Sequence, residues 1–129
     1  MRELFSYTLP RPFYNYNIPI SFQSTIIREY SKKNNFNFSL PVTELVQKDS
    51  YFMLSNIFLS KKNITDFAVV SGLVFPLYDL NILNKIFKNY KSIKKLNFHL
   101  ILESKIFNFD ELILWCSDIN LKKKLIKKF

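Results

Sequence analysis

Asp66-Phe67-Ala68-Val69-Val70-Ser71-Gly72-Leu73-Val74-Phe75 contains the longest apolar run of the chain, from Phe67 to Phe75 around Ser71-Gly72. It has no alternation of apolar and polar residues, which predicts a central strand buried on both faces and ending at Ser71-Gly72. Three other β-prone runs also lead into a turn with a polar or charged residue. Residues 3–9 precede Pro10-Arg11, residues 36–40 precede Pro41-Val42-Thr43-Glu44, and residues 96–102 precede Glu103-Ser104. Stretches of helical periodicity separate the four, so the strands should be parallel, with their C-terminal ends on one edge of one sheet. Right-handed crossovers then favour strand order 2-1-3-4 with helices on both faces. The expected fold is a small three-layer α/β sandwich with a parallel four-stranded sheet, of flavodoxin-like or resolvase-like topology.

The helical stretches are read from spacing and caps. Residues 21–33 place Phe22, Ile26, Ile27 and Tyr30 on one face, with Ser21 as the candidate cap and Asn34-Asn35 as the stop. Residues 49–60 open with Asp49-Ser50 and carry Tyr51, Leu54, Ile57 and Phe58 on one face. Residues 79–91 open with Asp79 and turn Leu80, Leu83, Ile86, Phe87 and Tyr90 inward and Lys85, Lys88 and Asn89 outward. A last helix starts near Asn108 or Asp110, and Ser117-Asp118 is expected to break it into two segments. Residues 10–20 form an unusually long connection, stiffened by Pro10, Pro12 and Pro19 and carrying Phe13, Tyr14 and Tyr16, so it reads as a lid or binding loop.

With 129 residues the chain is expected to form one domain, with a basic tail at about residues 119–129. No apolar run approaches the roughly 18 residues of a membrane span, and Met1-Arg2-Glu3-Leu4-Phe5 opens a strand rather than a signal peptide. A soluble, cytoplasmic protein is the expectation. Cys116, the single cysteine, reads as a buried structural thiol. The net charge of +9 invites a nucleic-acid reading. Against it, only Arg2, Arg11 and Arg28 are arginines, and the surplus of Lys, Asn, Ile and Phe matches AT-rich coding. Lys122, Lys123, Lys124, Lys127 and Lys128 crowd the end, either complementing a helix C-terminus or forming a solvated tail.

Much chemistry is excluded. Gly72 is the single glycine, so neither a phosphate-cradling loop nor a dinucleotide fingerprint can be written, and no cofactor is expected. His99 is the single histidine and lacks neighbours at ligand spacing, so no metal site is expected. Ser71 has no evident histidine base among the strand ends. What remains is the strand-end set Arg11, Glu44, Ser71 and Glu103, with Gln23 and Arg28 on the first helix. Arg11 offers a planar fork for an anion, and a helix N-terminus near Ser21 would add backbone donors. Glu44 and Glu103 would hold sugar hydroxyls or, with Ser71, divide catalytic work; otherwise they are ordinary loop charges and Arg11 pairs with one of them.

The run Tyr7-Thr8-Leu9-Pro10-Arg11-Pro12-Phe13, with Ile18-Pro19-Ile20, Gln23, Arg28-Glu29-Tyr30 and Leu40-Pro41-Val42-Thr43-Glu44, resembles the sporadic carbohydrate cluster proteins. Ser71-Gly72-Leu73-Val74-Phe75-Pro76 and Phe98-His99-Leu100-Ile101-Leu102-Glu103 fit the same pattern, so the resemblance spans nearly the whole chain. Asn15 and Tyr16 stand where that family commonly has glycine, and Ser24 where it has asparagine. The resemblance implies a role in bacterial surface-polysaccharide biosynthesis, not a particular reaction. A fainter similarity runs to the catalytic domain of serine recombinases, without its chemistry. Pro12-Phe13 follows Arg11 where a recombinase has its nucleophilic serine, and Leu73 to Leu77 replaces its paired arginines.

The expected ligand is therefore an anionic sugar or nucleotide-sugar, with Arg11 as clamp and Tyr7, Gln23 and Arg28 as further contacts. The first rival is a non-catalytic partner docking onto a pathway glycosyltransferase through Phe13, Tyr14 and Tyr16. A nucleic-acid binder is less favoured, since it needs basic residues gathered on one face. The aromatic surplus makes a homo-oligomer a further expectation.

Overall fold

The computed structural model describes residues 2–13, 16–61, 63–87 and 90–127, the side chains of residues 126 and 127 excepted. Met1, Tyr14, Asn15, Lys88, Asn89, Lys128 and the Lys127 side chain, all named above, lie outside the described residues. The elements are β1 (Glu3–Thr8), α1 (Ile20–Lys33), β2 (Asn37–Phe38), β3 (Val42–Thr43), α2 (Phe52–Ser60), β4 (Asp66–Val69), α3 (Leu80–Phe87), β5 (Asn97–Leu100), β6 (Lys105–Phe107) and α4 (Phe109–Lys127).

The sheet runs β2-β1-β4-β5-β6, with β3 also on β1. As the apolar run from Phe67 onward predicts, β4 is central, and every one of its residues is buried, Asp66 included. It lies parallel to β1, with Phe5 opposite Phe67, and parallel to β5, with Phe67 opposite Phe98. The expected second strand is divided: β2 pairs with Glu3 and Leu4, and β3 pairs with Tyr7 and Thr8, both parallel. Pro41 lies in the gap, where a residue with no N–H suits an interrupted edge.

The expectation of a purely parallel four-stranded sheet is corrected: the sheet has six strands and is mixed. After β5 the chain reverses through residues 101–104, where Ser104 has φ 55°, and β6 returns antiparallel, with Leu100 opposite Lys105. Lys105-Ile106-Phe107 is short and half-exposed, too brief a run to show a strand period.

Helix starts depart from the expected caps in two of four cases. Pro19, not Ser21, precedes α1, and no side chain caps it. α2 begins at Phe52 rather than at residue 49, and its cap arrives from a distant strand end, as described below. Asp79 Oδ1 does accept the Asn81 N–H at 2.9 Å. Asn108 and Glu111 form a reciprocal capping box at the start of α4, at 2.8 and 3.0 Å. That helix runs unbroken through Ser117-Asp118, and the i,i+4 pair Asp118–Lys122 at 3.1 Å bridges the expected break.

Strand alternation sends Phe67, Val69, Phe98 and Leu100 to one face, under α2, α3 and α4. There Phe58, Phe87 and Phe98 meet edge-to-face, with ring centroids 4.6 and 5.2 Å apart. Leu4, Ala68 and Val70 face the other way and pack on Ile27 of α1. Gly72 is a packing glycine: a Cβ there would meet the Trp115 ring at 2.5 Å and Leu100 at 2.6 Å. Cys116 is fully buried, and burial pushes its thiol from 9.0 up to about 12, as suits a structural residue.

Candidate functional site

The strand ends do gather polar residues on one edge, in two separate groups. The first is built on Glu44, which follows β3. Its carboxylate is buried and accepts from Tyr7 Oη at 2.9 Å, Leu45 N at 2.8 Å, Ser50 Oγ at 3.2 Å, and Met53 N and Leu54 N at 3.1 Å each. Met53 and Leu54 are in the first turn of α2, so Glu44 caps that helix and satisfies donors that would otherwise lack partners. A carboxylate has about four lone-pair sites, and five donors occupy them all. Tyr7 has no exposed surface, and burial, then the neighbouring Glu44 charge, drives its hydroxyl far above the usual tyrosine range.

Arg11 borders this group without pairing with Glu44 or any other described carboxylate within 4.0 Å. Its Nη1 donates to the carbonyls of Leu45 and Gln47 at 3.1 and 3.2 Å, and its Nη2 to that of Ser50 at 2.7 Å. The guanidinium also lies 5.2 Å from the Tyr51 ring centre. Burial raises the Tyr51 hydroxyl to about 12, helped by Tyr78 and opposed by Arg11. Thus a partly exposed guanidinium is locked in place by dipoles and an aromatic face, with no described carboxylate within 4.0 Å of it.

Ser71 and Glu103 form the second group. Ser71 Oγ donates to Glu103 Oε2 at 2.6 Å and accepts from Leu73 N at 3.1 Å, while Gly72 N donates to Glu103 Oε1 at 2.9 Å. This carboxylate anchors the 3-10 turn Gly72–Val74 that follows β4. The two expected helix contacts go elsewhere. Gln23 is fully buried and pins the long loop at both ends, accepting from Leu9 N at 3.1 Å and donating to the Leu9 and Ile18 carbonyls at 2.8 Å. Arg28 is exposed and lies 5.2 Å over Phe38, against β2. In the loop itself Phe13 is buried and Tyr16 is exposed.

Sequence reasoning missed a third polar group, on the α1 face. His99 Nε2 is 2.8 Å from Asp66 Oδ1, and its Nδ1 is 2.7 Å from Tyr30 Oη. Asp66 Oδ2 also takes Arg2 at 3.2 Å and the Thr65 hydroxyl at 3.0 Å. The available clue was positional: Asp66 and His99 interrupt neighbouring apolar strands, and parallel pairing places Ala68 beside His99, so both polar residues face the same side.

Over 98% of this chain and 99% of its own, the N-terminal catalytic domain of TP901-1 integrase superposes with a TM-score of 0.63 at 14% sequence identity. The fold is resolvase-like. At that identity the likeness concerns architecture alone. No protein-family model matches the chain, and no curated protein does. Among the described residues, no helix is long and apolar enough to cross a membrane.

Proposed function

We propose that the chain serves bacterial surface-carbohydrate biosynthesis by binding an anionic sugar or nucleotide-sugar at the C-terminal edge of the sheet. The pathway comes from the sequence resemblance. The observation that carries the ligand class is Arg11, a guanidinium held by three carbonyls, with no described carboxylate within 4.0 Å, at the edge where open α/β sheets take ligands. Holding the fork before the ligand arrives lowers the ordering cost of binding. Glu44 and Glu103 are committed to backbone donors, so their part is to shape the edge around Arg11. The recombinase reading draws no support from the site, since Pro12 and buried Phe13 follow Arg11, and Leu73, Val74 and Phe75 fill the turn after β4.

A second reading, docking onto a pathway enzyme, is favoured by exposed Leu45 and Val46 on the loop that Arg11 stitches and exposed Phe52 at the start of α2. A thermal-shift and calorimetric panel of UDP- and CMP-linked sugars separates the two. The ligand reading expects stabilisation of the wild type and a loss of about 10- to 100-fold in affinity for Arg11→Lys, which keeps the charge but not the fork. No response across the panel, or an unchanged affinity in that variant, would shift the weight to docking.

A further inference from the structure

A groove lies on the other side of the sheet from the aromatic core, between α1 and the β5–β6 hairpin. Its volume is about 810 Å³, and Ile26, Tyr30, Lys32, Lys33, Lys105 and Ile106 are among its lining residues. That size falls within the range of small-molecule sites. Glu29 is the one carboxylate residue among its lining, beside three lysines. Lys32 and Lys33 are in the last turn of α1, where cations complement the helix dipole, but Lys105 comes from β6 and has no such reason to be there.

The wall of the groove carries a more specific feature. Asp66 is already an acceptor for Arg2 and Thr65, so the proton it shares with His99 belongs to Nε2. With the imidazole in its neutral form, protonated there, Nδ1 is an acceptor and the Tyr30 hydroxyl donates to it. In that form the phenol's one proton points inward, toward His99. Burial, then the Asp66 charge, raises the Tyr30 hydroxyl above 10.0, so that proton stays. Tyr30 lines the groove, and with His99 neutral its Oη has only lone pairs left for a ligand, whereas the lysines offer only donors and positive charge. A molecule that satisfies both carries an anionic group and a hydroxyl, and the apolar walls from Ile26 and Ile106 suit the less polar face of a ring.

We infer that this groove is a second ligand site, for a small hydroxylated anion of the sugar-phosphate class, with Tyr30 Oη accepting from a ligand hydroxyl and the lysines holding the anionic group. It shares no residue with the Arg11 edge and does not depend on it.

The test is an amide-resonance NMR titration of the full chain with glucose 1-phosphate, and with glucose and inorganic phosphate as separate probes. Glucose 1-phosphate should shift Tyr30, Lys33, Lys105 and Ile106 at millimolar concentration, more strongly than either part alone. Tyr30→Phe should weaken it about 3- to 10-fold and leave inorganic phosphate unchanged, since one neutral hydrogen bond is lost. The double variant Lys33→Ser/Lys105→Ser should weaken both, and it carries the test should Tyr30→Phe fail to fold, because both lysines are exposed. The inference is overturned by the absence of groove shifts, by sugar phosphate binding no better than inorganic phosphate, by unchanged affinity in Tyr30→Phe, or by shifts confined to the surroundings of Arg11.

Discussion

The two faces of the sheet are built on different terms. Under α2, α3 and α4 lies an interlocked aromatic core around Phe58, Phe67, Phe87 and Phe98, whose only thiol is buried and stays protonated. Under α1 the apolar cluster is small, and Ser6, Thr8, Asp66 and His99 occupy buried positions in the same strands. One helix does not cover five columns of strand, and the β5–β6 hairpin is left facing an open groove. The aromatic face supplies stability by area; the α1 face accepts the cost of buried polar groups, each matched to a partner except one among the described residues. Room for chemistry is on the second face and at the strand ends.

The largest effect should come from the aromatic face. Phe98→Ala removes a ring that touches Phe67, Phe75, Phe87 and Phe109, and should destabilise by about 3–5 kcal/mol in urea unfolding. A loss below about 1 kcal/mol would mean that the α1 face carries more of the stability than this division assigns it.

Glu44→Ala should come next, at about 2–4 kcal/mol, because it strands the Tyr7 hydroxyl and two N–H groups of α2 in a buried place. Glu44→Gln should cost less, since its carbonyl still accepts. If Glu44→Ala instead leaves unfolding unchanged while abolishing sugar-nucleotide binding, the carboxylate belongs to the ligand and not to the helix.

The sequence carried the layers and the strand order well, and the site less well. Four strands, their order and the central place of residues 66–69 followed from unbroken apolar runs and right-handed crossovers, which depend on local composition. β6 escaped because three residues in a hairpin are fixed by the partner strand, not by their own pattern. Glu44 and Glu103 follow β3 and β5 but stand in two separate groups, and what each binds is set by which N–H groups the fold leaves open nearby. Glu44 caps a helix that begins eight positions later, at Phe52, and sequence spacing gives no sign of that geometry. His99 escaped for the same reason, its partners being 33 and 69 positions away.

The pH response probes the aromatic face again. Burial raises the Cys116 thiol from 9.0 to about 12, so the folded state holds a proton that the unfolded chain gives up first. Stability from this group is complete below pH 9 and falls as the pH rises toward 12. Tyr7 and Tyr51 shift in the same direction from 10.0 and deepen the loss at higher pH. Cys116→Val should flatten the onset just above pH 9 in a series of urea melts, leaving the later, tyrosine-driven part. An unaltered onset would place the first titration elsewhere.

The smallest effect should be at the one exception on the α1 face. Ser6 Oγ is buried without a hydrogen-bond partner among the described residues. It lies in β1 between the residues that pair with β2 and those that pair with β3, where the interrupted edge leaves a gap. Burying an unpaired hydroxyl costs free energy, and removing both the group and its need for a partner is neutral or favourable. Ser6→Ala should therefore raise stability by up to about 1 kcal/mol, against the general tendency of core substitutions to lower it. Alanine keeps the Cβ that packs there and adds nothing to accommodate, so the cavity term is minimal. A loss of more than about 1 kcal/mol would show that the hydroxyl is bonded in solution, by ordered water or by the chain itself. The α1 face would then have no unmatched polar group at all, and its difference from the aromatic face would be one of chemistry alone and not of imperfect packing.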